Sequence, residues 1–116
     1  MQYILLVYGE DRLWSELSGD EAARLDDARD RWVQELVRSG HSRGMADLHP
    51  ASTATTLRRR NGRVAITDGP FDETREVLGG YQVVECRDLD EAIAIASRFP
   101  ALGAGFSMEV RPVMPL

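Results

Sequence analysis

The sequence predicts an α+β fold of the ferredoxin-like (split βαβ) kind: an antiparallel sheet with two helices on one face, plus a hairpin. Three patterns predict it. Apolar runs typical of strands stand at the start of the chain, in its second half and near its end. A stretch of helical periodicity follows each of the first two runs, and an Asn-Gly pair marks a hairpin. The resulting order of strands and helices is that of a split βαβ sheet.

The composition is that of a globular protein. With 116 residues, 43% of them hydrophobic and 28% charged, the chain predicts a single domain over residues 1–116. No window approaches the roughly 20 apolar residues that span a bilayer, and the opening run has no basic leader, so we expect a cytoplasmic protein. The single cysteine, Cys86, fits a reducing compartment. A net charge of −5 argues against nucleic-acid partners, and the lack of a spanning apolar window argues against a membrane.

The first half of the chain predicts a strand followed by a long helix. Residues 3–8 are apolar at consecutive positions, which indicates a strand covered on both faces. Residues 9–17 are read as a loop or short turn with Trp14 as an aromatic anchor. Ser18 and Glu21 have capping-box spacing and predict a helix over residues 19–39. Its apolar arc comprises Ala22, Leu25, Trp32, Val33, Leu36 and Val37.

Arg29 interrupts this apolar arc near its middle and is expected to face the sheet. A charge buried there without a partner is costly, so the position predicts an acidic partner, a ligand or a water channel. Alternatively, the aliphatic stem packs while the guanidinium reaches the edge of a cleft. The pattern leaves both interpretations open.

The middle of the chain predicts a weak strand over residues 41–47 and then a hairpin. Residues 55–59 and 63–67 are β-prone and are separated by an Asn-Gly turn. The hairpin carries four arginines, but strand alternation sends them to different faces, so a solvated, edge-protecting hairpin is favoured over an anion-binding patch. It ends at a corner formed by residues 67–71, where Asp68 follows the second strand.

The last third predicts a strand over residues 81–86, a helix and a final strand. Asp88 and Glu91 have capping-box spacing, and Pro100 closes the helix that follows. Phe106, Met108 and Val110 alternate with polar residues, which predicts a strand with one buried face. With both helices on one face of the sheet, its other face has no cover. We therefore expect a homodimer through the sheet faces.

Asp68 and Arg29 are the first candidates for a site. Asp68 precedes Gly-Pro, so its carboxylate can simply accept backbone N–H bonds and fix the turn. If Arg29 pairs with it instead, the two could hold a small anionic ligand while Asp68 moves a proton. Because a neighbouring guanidinium makes a carboxylate a weaker base, anion binding is favoured over catalysis by Asp68.

The remaining candidates are His49 in a loop, Tyr8 at the end of the first strand, and Phe71 at the corner. Each has a simpler interpretation: an exposed loop histidine, strand packing, and an anchor of the corner in the core. The two histidines lack the spacing and the paired cysteines of a metal site, so no metal is expected. Neither a phosphate loop nor a dinucleotide fingerprint is present, so no cofactor is expected.

Several segments together resemble the DGPF branch of the YCII-related proteins. They are Asp68-Gly69-Pro70-Phe71, Glu76-Val77-Leu78-Gly79-Gly80-Tyr81, Asp88-Leu89-Asp90-Glu91-Ala92, and the first and last strands. The resemblance covers nearly the whole chain. It implies a small bacterial cytoplasmic protein with a dimeric α/β-barrel fold and a function that is unsettled for the family.

The resemblance also implies two classes of function. In YCII-like proteins a histidine and an aspartate in a cleft suggest enzymatic chemistry, and the aspartate matches Asp68. Arg29 stands where relatives often have the histidine, and arginine cannot act as a general base near neutral pH. A mechanism that needs that histidine would lack its base here. The alternative is a non-enzymatic accessory or regulatory partner, since the DGPF branch often occurs beside extracytoplasmic-function sigma factors.

Overall fold

A four-stranded antiparallel sheet in the order β2-β5-β1-β6 forms the main layer of the protein. The computed structural model describes residues 1–70 and 75–116. The strands of the sheet are β1 Gln2–Gly9, β2 Ser42–Asp47, β5 Val77–Glu85 and β6 Ser107–Pro112. This strand order confirms the expected ferredoxin-like topology.

In the described residues, three α-helices connect the strands: α1 Arg12–Ser15, α2 Gly19–Arg38 and α3 Leu89–Ser97. The two long helices start where the sequence predicts. The Ser18 hydroxyl accepts from the Glu21 N–H at 3.1 Å, and the Asp88 carboxylate accepts from the Glu91 N–H at 2.9 Å. Gly40, at φ 80°, ends the first of them. Val37 was wrongly placed on the buried arc, because it lies near the end of α2 with 63% of its surface exposed.

The core lies between these helices and one face of the sheet. Leu5 and Val84, from neighbouring strands β1 and β5, are fully buried against Leu36 of α2 and Ile95 of α3. The Trp32 indole N–H donates to the Ile95 carbonyl at 3.1 Å and so ties the two helices together. Cys86 is also buried in this core, and that burial raises the pKa of its thiol.

The hairpin forms a separate two-stranded sheet from β3 Thr55–Arg60 and β4 Arg63–Asp68. Asn61 and Gly62 have φ values of 51° and 75°, the positive values that a two-residue turn of this kind requires. One face of the hairpin exposes large apolar side chains to solvent, namely Leu57, Val64 and Ile66. The predicted hairpin is therefore confirmed. Its exposed apolar face does not fit the predicted edge-protecting role, because edge strands are protected by charged side chains.

Strand β5 begins four residues before the position predicted from the sequence and includes Gly79 and Gly80.

Alternation along β1 turns Leu5 toward the helices and Leu6 toward the opposite, outer face of the sheet. The whole chain measures only 18 Å along its shortest axis, about the thickness of one helix layer on one sheet. Among the described residues, no helix is long and apolar enough to cross a membrane.

Candidate functional site

A small cavity of about 60 Å³ lies between α2 and the sheet. Aromatic rings form much of its wall. The ring centroids of Trp14 and Phe106 lie 4.7 Å apart in a tilted arrangement, and Trp32 and Phe99 meet edge to face at 5.2 Å. Polar side chains complete the lining: Glu10, Asp11, Arg29, Asp47 and Gln82. Mostly apolar walls with a few converging polar groups are typical of small-molecule sites.

Arg29 reaches this cavity from α2 with 29% of its side chain exposed. Its Nη1 atom donates to Oδ2 of Asp47, the last residue of β2, and its Nη2 atom lies 3.7 Å from the Asp30 carboxylate. Its Nε–H group is buried and has no hydrogen-bond partner in the described part of the chain. Arg29 therefore faces the sheet, as expected, and its buried Nε–H donor has no partner in the described chain.

Gln82 lies on the central strand β5, on the face turned toward the helices, and is only 2% exposed. Its Nε2 amide group donates to the Ser42 hydroxyl at 2.8 Å and to the carbonyls of Gly44 and Val83, both at 3.1 Å. Its Oε1 atom is buried and accepts no hydrogen bond from residues 1–70 or 75–116. A buried acceptor of this kind is rare in native proteins and calls for an explanation.

Two glycines give the cavity its shape. A Cβ at Gly80 would lie 3.0 Å from the Ala46 carbonyl oxygen and 3.3 Å from Oδ1 of Asp47. A Cβ at Gly9 would lie 2.3 Å from Cδ1 of the Phe106 ring. The lack of a side chain at Gly80 therefore leaves room for Asp47, and the lack of one at Gly9 leaves room for the Phe106 ring.

The charged groups around the cavity are of both signs. Among the described residues, its lining contains three carboxylates, from Glu10, Asp11 and Asp47, and one guanidinium, that of Arg29. Glu10 is itself paired with Arg12, and the Nη2 atom of Arg75 lies 3.1 Å from its other oxygen. With Glu10 and Asp47 paired, Asp11 is the lining carboxylate that forms no ion pair in residues 1–70 and 75–116, and its charge favours ligands without a full negative charge.

The structure does not bring Asp68 to Arg29, and the expected pair was wrong. Asp68 is exposed at the end of β4, on the separate hairpin, and pairs in register with Thr55. The turn that follows it is held by the Gly69 N–H, which donates to the Ala54 carbonyl at 2.7 Å. The acid that Arg29 contacts is Asp47, because β2 belongs to the sheet on which α2 packs.

Tyr8 and His49 lie elsewhere. They line an open groove of about 900 Å³ between the base of the hairpin and the main sheet, and this groove shares only Val77 with the cavity at Arg29. The side chain of His49 is exposed. Phe71, the remaining candidate, lies outside the described residues. The sequence-predicted residues therefore do not form one site in the chain.

A second polar cluster fixes the far end of α2. The imidazole of His41 lies 2.7 Å from the Ser39 hydroxyl through Nδ1 and 3.3 Å from the Glu91 carboxylate through Nε2. Glu91 also accepts from the Arg87 N–H at 3.1 Å, the main cause of a pKa below its ordinary value. Because this cluster joins the end of α2 to the start of α3, its role is structural.

Sequence reasoning missed Asp47 and Gln82. Asp47 had a signal, since it is an acid that ends a strand next to the predicted helix, as Asp68 ends another. The signal for Gln82 was weaker. It is a lone amide among the apolar residues of a central strand, and a buried amide must find hydrogen-bond partners.

The fold and the cavity together define a small ferredoxin-like α+β protein with a candidate small-molecule site. The chain belongs to the YCII-related domain family, whose model matches residues 1–116. It is 34% identical over 117 residues to the uncharacterized protein R00369 of Rhizobium meliloti (strain 1021), a match that covers 97% of this chain and 92% of the relative.

A solved structure has the same fold. It is the 5-chloro-2-hydroxyhydroquinone dehydrochlorinase TftG of Burkholderia phenoliruptrix AC1100, in complex with 2,5-dihydroxybenzoquinone. The TM-score is 0.53 and the sequence identity 15%, over 98% of this chain and 94% of that one. At this identity the likeness concerns the fold alone.

Proposed function

We propose that the cavity between α2 and the sheet binds a small molecule, and that Arg29 donates a hydrogen bond to an oxygen atom of that ligand. The observation that carries the proposal is the guanidinium itself: it reaches an aromatic-walled cavity and keeps a buried Nε–H donor without a partner in the described chain. A buried donor without a partner costs roughly 1–3 kcal/mol, which a ligand acceptor would recover.

The dehydrochlorinase gives independent support of a general kind. Its structure holds a small hydroxylated ring compound, so a protein of this fold can bind a small polar molecule. The aromatic walls of the present cavity are compatible with a flat ligand. No reaction is proposed for this chain.

The anionic ligand expected from the sequence remains one version of the proposal. Arg29 would hold the anion by exchanging its contact with Asp47 for a contact with the ligand. The carboxylates of Asp11 and Asp47 in the lining oppose that exchange. Acetate therefore serves as the probe for this version.

The proposal includes a homodimer formed through the outer faces of two sheets. In the described part of the chain, which is only 18 Å thick, no layer covers Leu6 and its neighbours on that face. Burying apolar surface stabilises association by roughly 25 cal/mol per Å². The alternative function, an accessory partner in sigma-factor signalling, is supported by no specific contact among the described residues and is not proposed.

Titration with small probes, followed by amide and indole N–H chemical shifts in NMR spectra, tests the site. Binding should shift the indole signals of Trp14 and Trp32, which line the cavity. Arg29→Leu should weaken binding about tenfold or more, the loss expected of a charge-assisted hydrogen bond. Arg31→Leu, an exposed position on the same helix, is the matched control and should bind as the wild type does. Equal binding by both variants would refute the proposed site.

A further inference from the structure

Two side chains that line the cavity, those of Arg29 and Gln82, each have a buried polar atom without a partner in the described chain. Gln82 Oε1 and the Nε–H group of Arg29 are both buried, both lack partners among the described residues, and both belong to side chains that line the cavity. On the proposed function, on which this inference rests, a ligand oxygen accepts from Arg29. Gln82 then needs a ligand that also donates.

The amide orientation of Gln82 follows from its surroundings. Two of the contacts of Nε2 are backbone carbonyls, those of Gly44 and Val83, which can only accept. Nε2 must therefore be the NH₂ group, and the atom left without a partner is the carbonyl oxygen. A carboxylate group cannot satisfy it, since ionised oxygens have no hydrogen to donate.

The charges around the cavity lead to the same conclusion. Arg29 is already paired with Asp47, and Glu10 is paired with Arg12 and Arg75, which leaves the Asp11 carboxylate of the described lining without an ion pair. A ligand that carries a full negative charge would be repelled by Asp11 and would compete with Asp47 for Arg29. An uncharged ligand avoids this cost and can still accept from Arg29 through a carbonyl oxygen.

The size of the cavity limits the part of the ligand that is enclosed. Its volume of about 60 Å³ is less than half the roughly 150 Å³ of a cavity that holds benzene. The enclosed part is therefore a group of a few heavy atoms. We infer that the ligand is an uncharged hydroxycarbonyl compound, whose hydroxyl donates to Gln82 Oε1 and whose carbonyl accepts from Arg29.

Three probes of similar size distinguish a ligand that donates and accepts, a ligand that only accepts, and an anion. Hydroxyacetone has both groups, acetone has only the carbonyl, and acetate is an anion that only accepts. In NMR titrations of the wild-type protein, hydroxyacetone should bind about three- to tenfold more tightly than acetone, the gain expected of one hydrogen bond to a buried acceptor. Acetate should bind more weakly than hydroxyacetone.

Gln82→Met removes the acceptor at a similar side-chain volume and should reduce the preference for hydroxyacetone over acetone to about one. Ser42→Ala is the matched control, since it removes a partner of Nε2 and leaves Oε1 in place, and it should keep the preference. If Gln82→Met does not fold, the affinities of the three probes for the wild-type protein still test the hydroxycarbonyl inference.

Different results would refute the hydroxycarbonyl inference and the proposed function. Equal binding of hydroxyacetone and acetone, or tighter binding of acetate that depends on Arg29, would overturn the hydroxycarbonyl inference and leave the proposed site standing. If no probe shifts the Trp14 or Trp32 signals, because the cavity holds ordered water only, the inference and the proposed function both fail.

Discussion

Arg29 and Asp47 meet across the gap between α2 and β2, where Nη1 of the arginine donates to Oδ2 of the aspartate. This contact leaves Arg29 electrically satisfied while its Nε–H group stays unpaired within the described chain. The pair therefore controls the charge that a ligand meets. Its two members can be tested separately.

Asp47→Asn should raise the affinity for acetate about three- to tenfold, because it removes a competing carboxylate and frees the guanidinium for an anion. The free energy of unfolding should change by less than about 1 kcal/mol, since 52% of the Asp47 side chain is exposed. NMR titration and urea unfolding measure the two effects. Asp27→Asn, at an exposed position on α2, is the control, and an equal gain in acetate affinity there would mean that only overall charge matters.

Gly80→Ala should destabilise the protein by about 1–2 kcal/mol, because the added Cβ meets the Ala46 carbonyl at 3.0 Å and the Asp47 carboxylate at 3.3 Å. Gly79→Ala, one residue earlier on the same strand, is a close control. Its Cβ would meet nothing nearer than the Val7 carbonyl at 3.9 Å. Urea unfolding should separate the two variants, and equal stability would show that Gly80 does not make room for Asp47.

Gly9→Ala should move the Phe106 ring, since the new Cβ would lie 2.3 Å from Cδ1 of that ring. The shift disturbs the contact between Phe106 and Trp14 and should cost about 1–3 kcal/mol of unfolding free energy. Tryptophan fluorescence and thermal unfolding report the two changes. Gly19→Ala at the start of α2 meets no atom within 4 Å and should leave both signals near those of the wild type.

Glu91 should contribute to stability in a pH-dependent way. Its folded-state pKa lies below the ordinary value of 4.5, chiefly because the Arg87 N–H donates to its carboxylate. The ionised carboxylate therefore stabilises the fold above the unfolded-state pKa, and this contribution is lost as the pH falls through the lower folded-state pKa.

The stability advantage of the wild type over Glu91→Gln should accordingly be full near pH 6 and shrink as the pH falls below 4.5. Urea unfolding across this range measures it. Glu109→Gln on the exposed side of β6 is the control. A difference between wild type and Glu91→Gln that stays constant from pH 6 to strongly acidic conditions would contradict the assignment.

Leu6→Asp on the outer face of β1 should convert a dimer to a monomer, because it places a charge in the proposed apolar interface. Sedimentation velocity measures the mass directly. Val37→Asp, which changes an exposed apolar residue of α2, should leave the assembly unchanged. A wild-type protein that sediments as a monomer at micromolar concentration would refute the dimer.

The hairpin and the starts of both long helices follow from the sequence because local chemistry fixes them. An Asn-Gly pair adopts the positive φ values of a tight turn, and the side chains of Ser18 and Asp88 cap the N–H groups three residues later. The inward direction of Arg29 also follows from local periodicity, since its place on α2 is set by 3.6 residues per turn.

The sequence by itself thus determined the elements, their order, the family resemblance and the charge on the inner face of α2. Only the tertiary structure decided which acid Arg29 meets, and that Gln82 lines the same cavity with an oxygen that accepts no hydrogen bond from the described residues. Asp47 and Asp68 look alike in the sequence, as each ends a strand before a turn. They differ because β2 joins the main sheet under α2 while β4 belongs to a separate hairpin, and pairing between distant strands leaves no signal in local spacing.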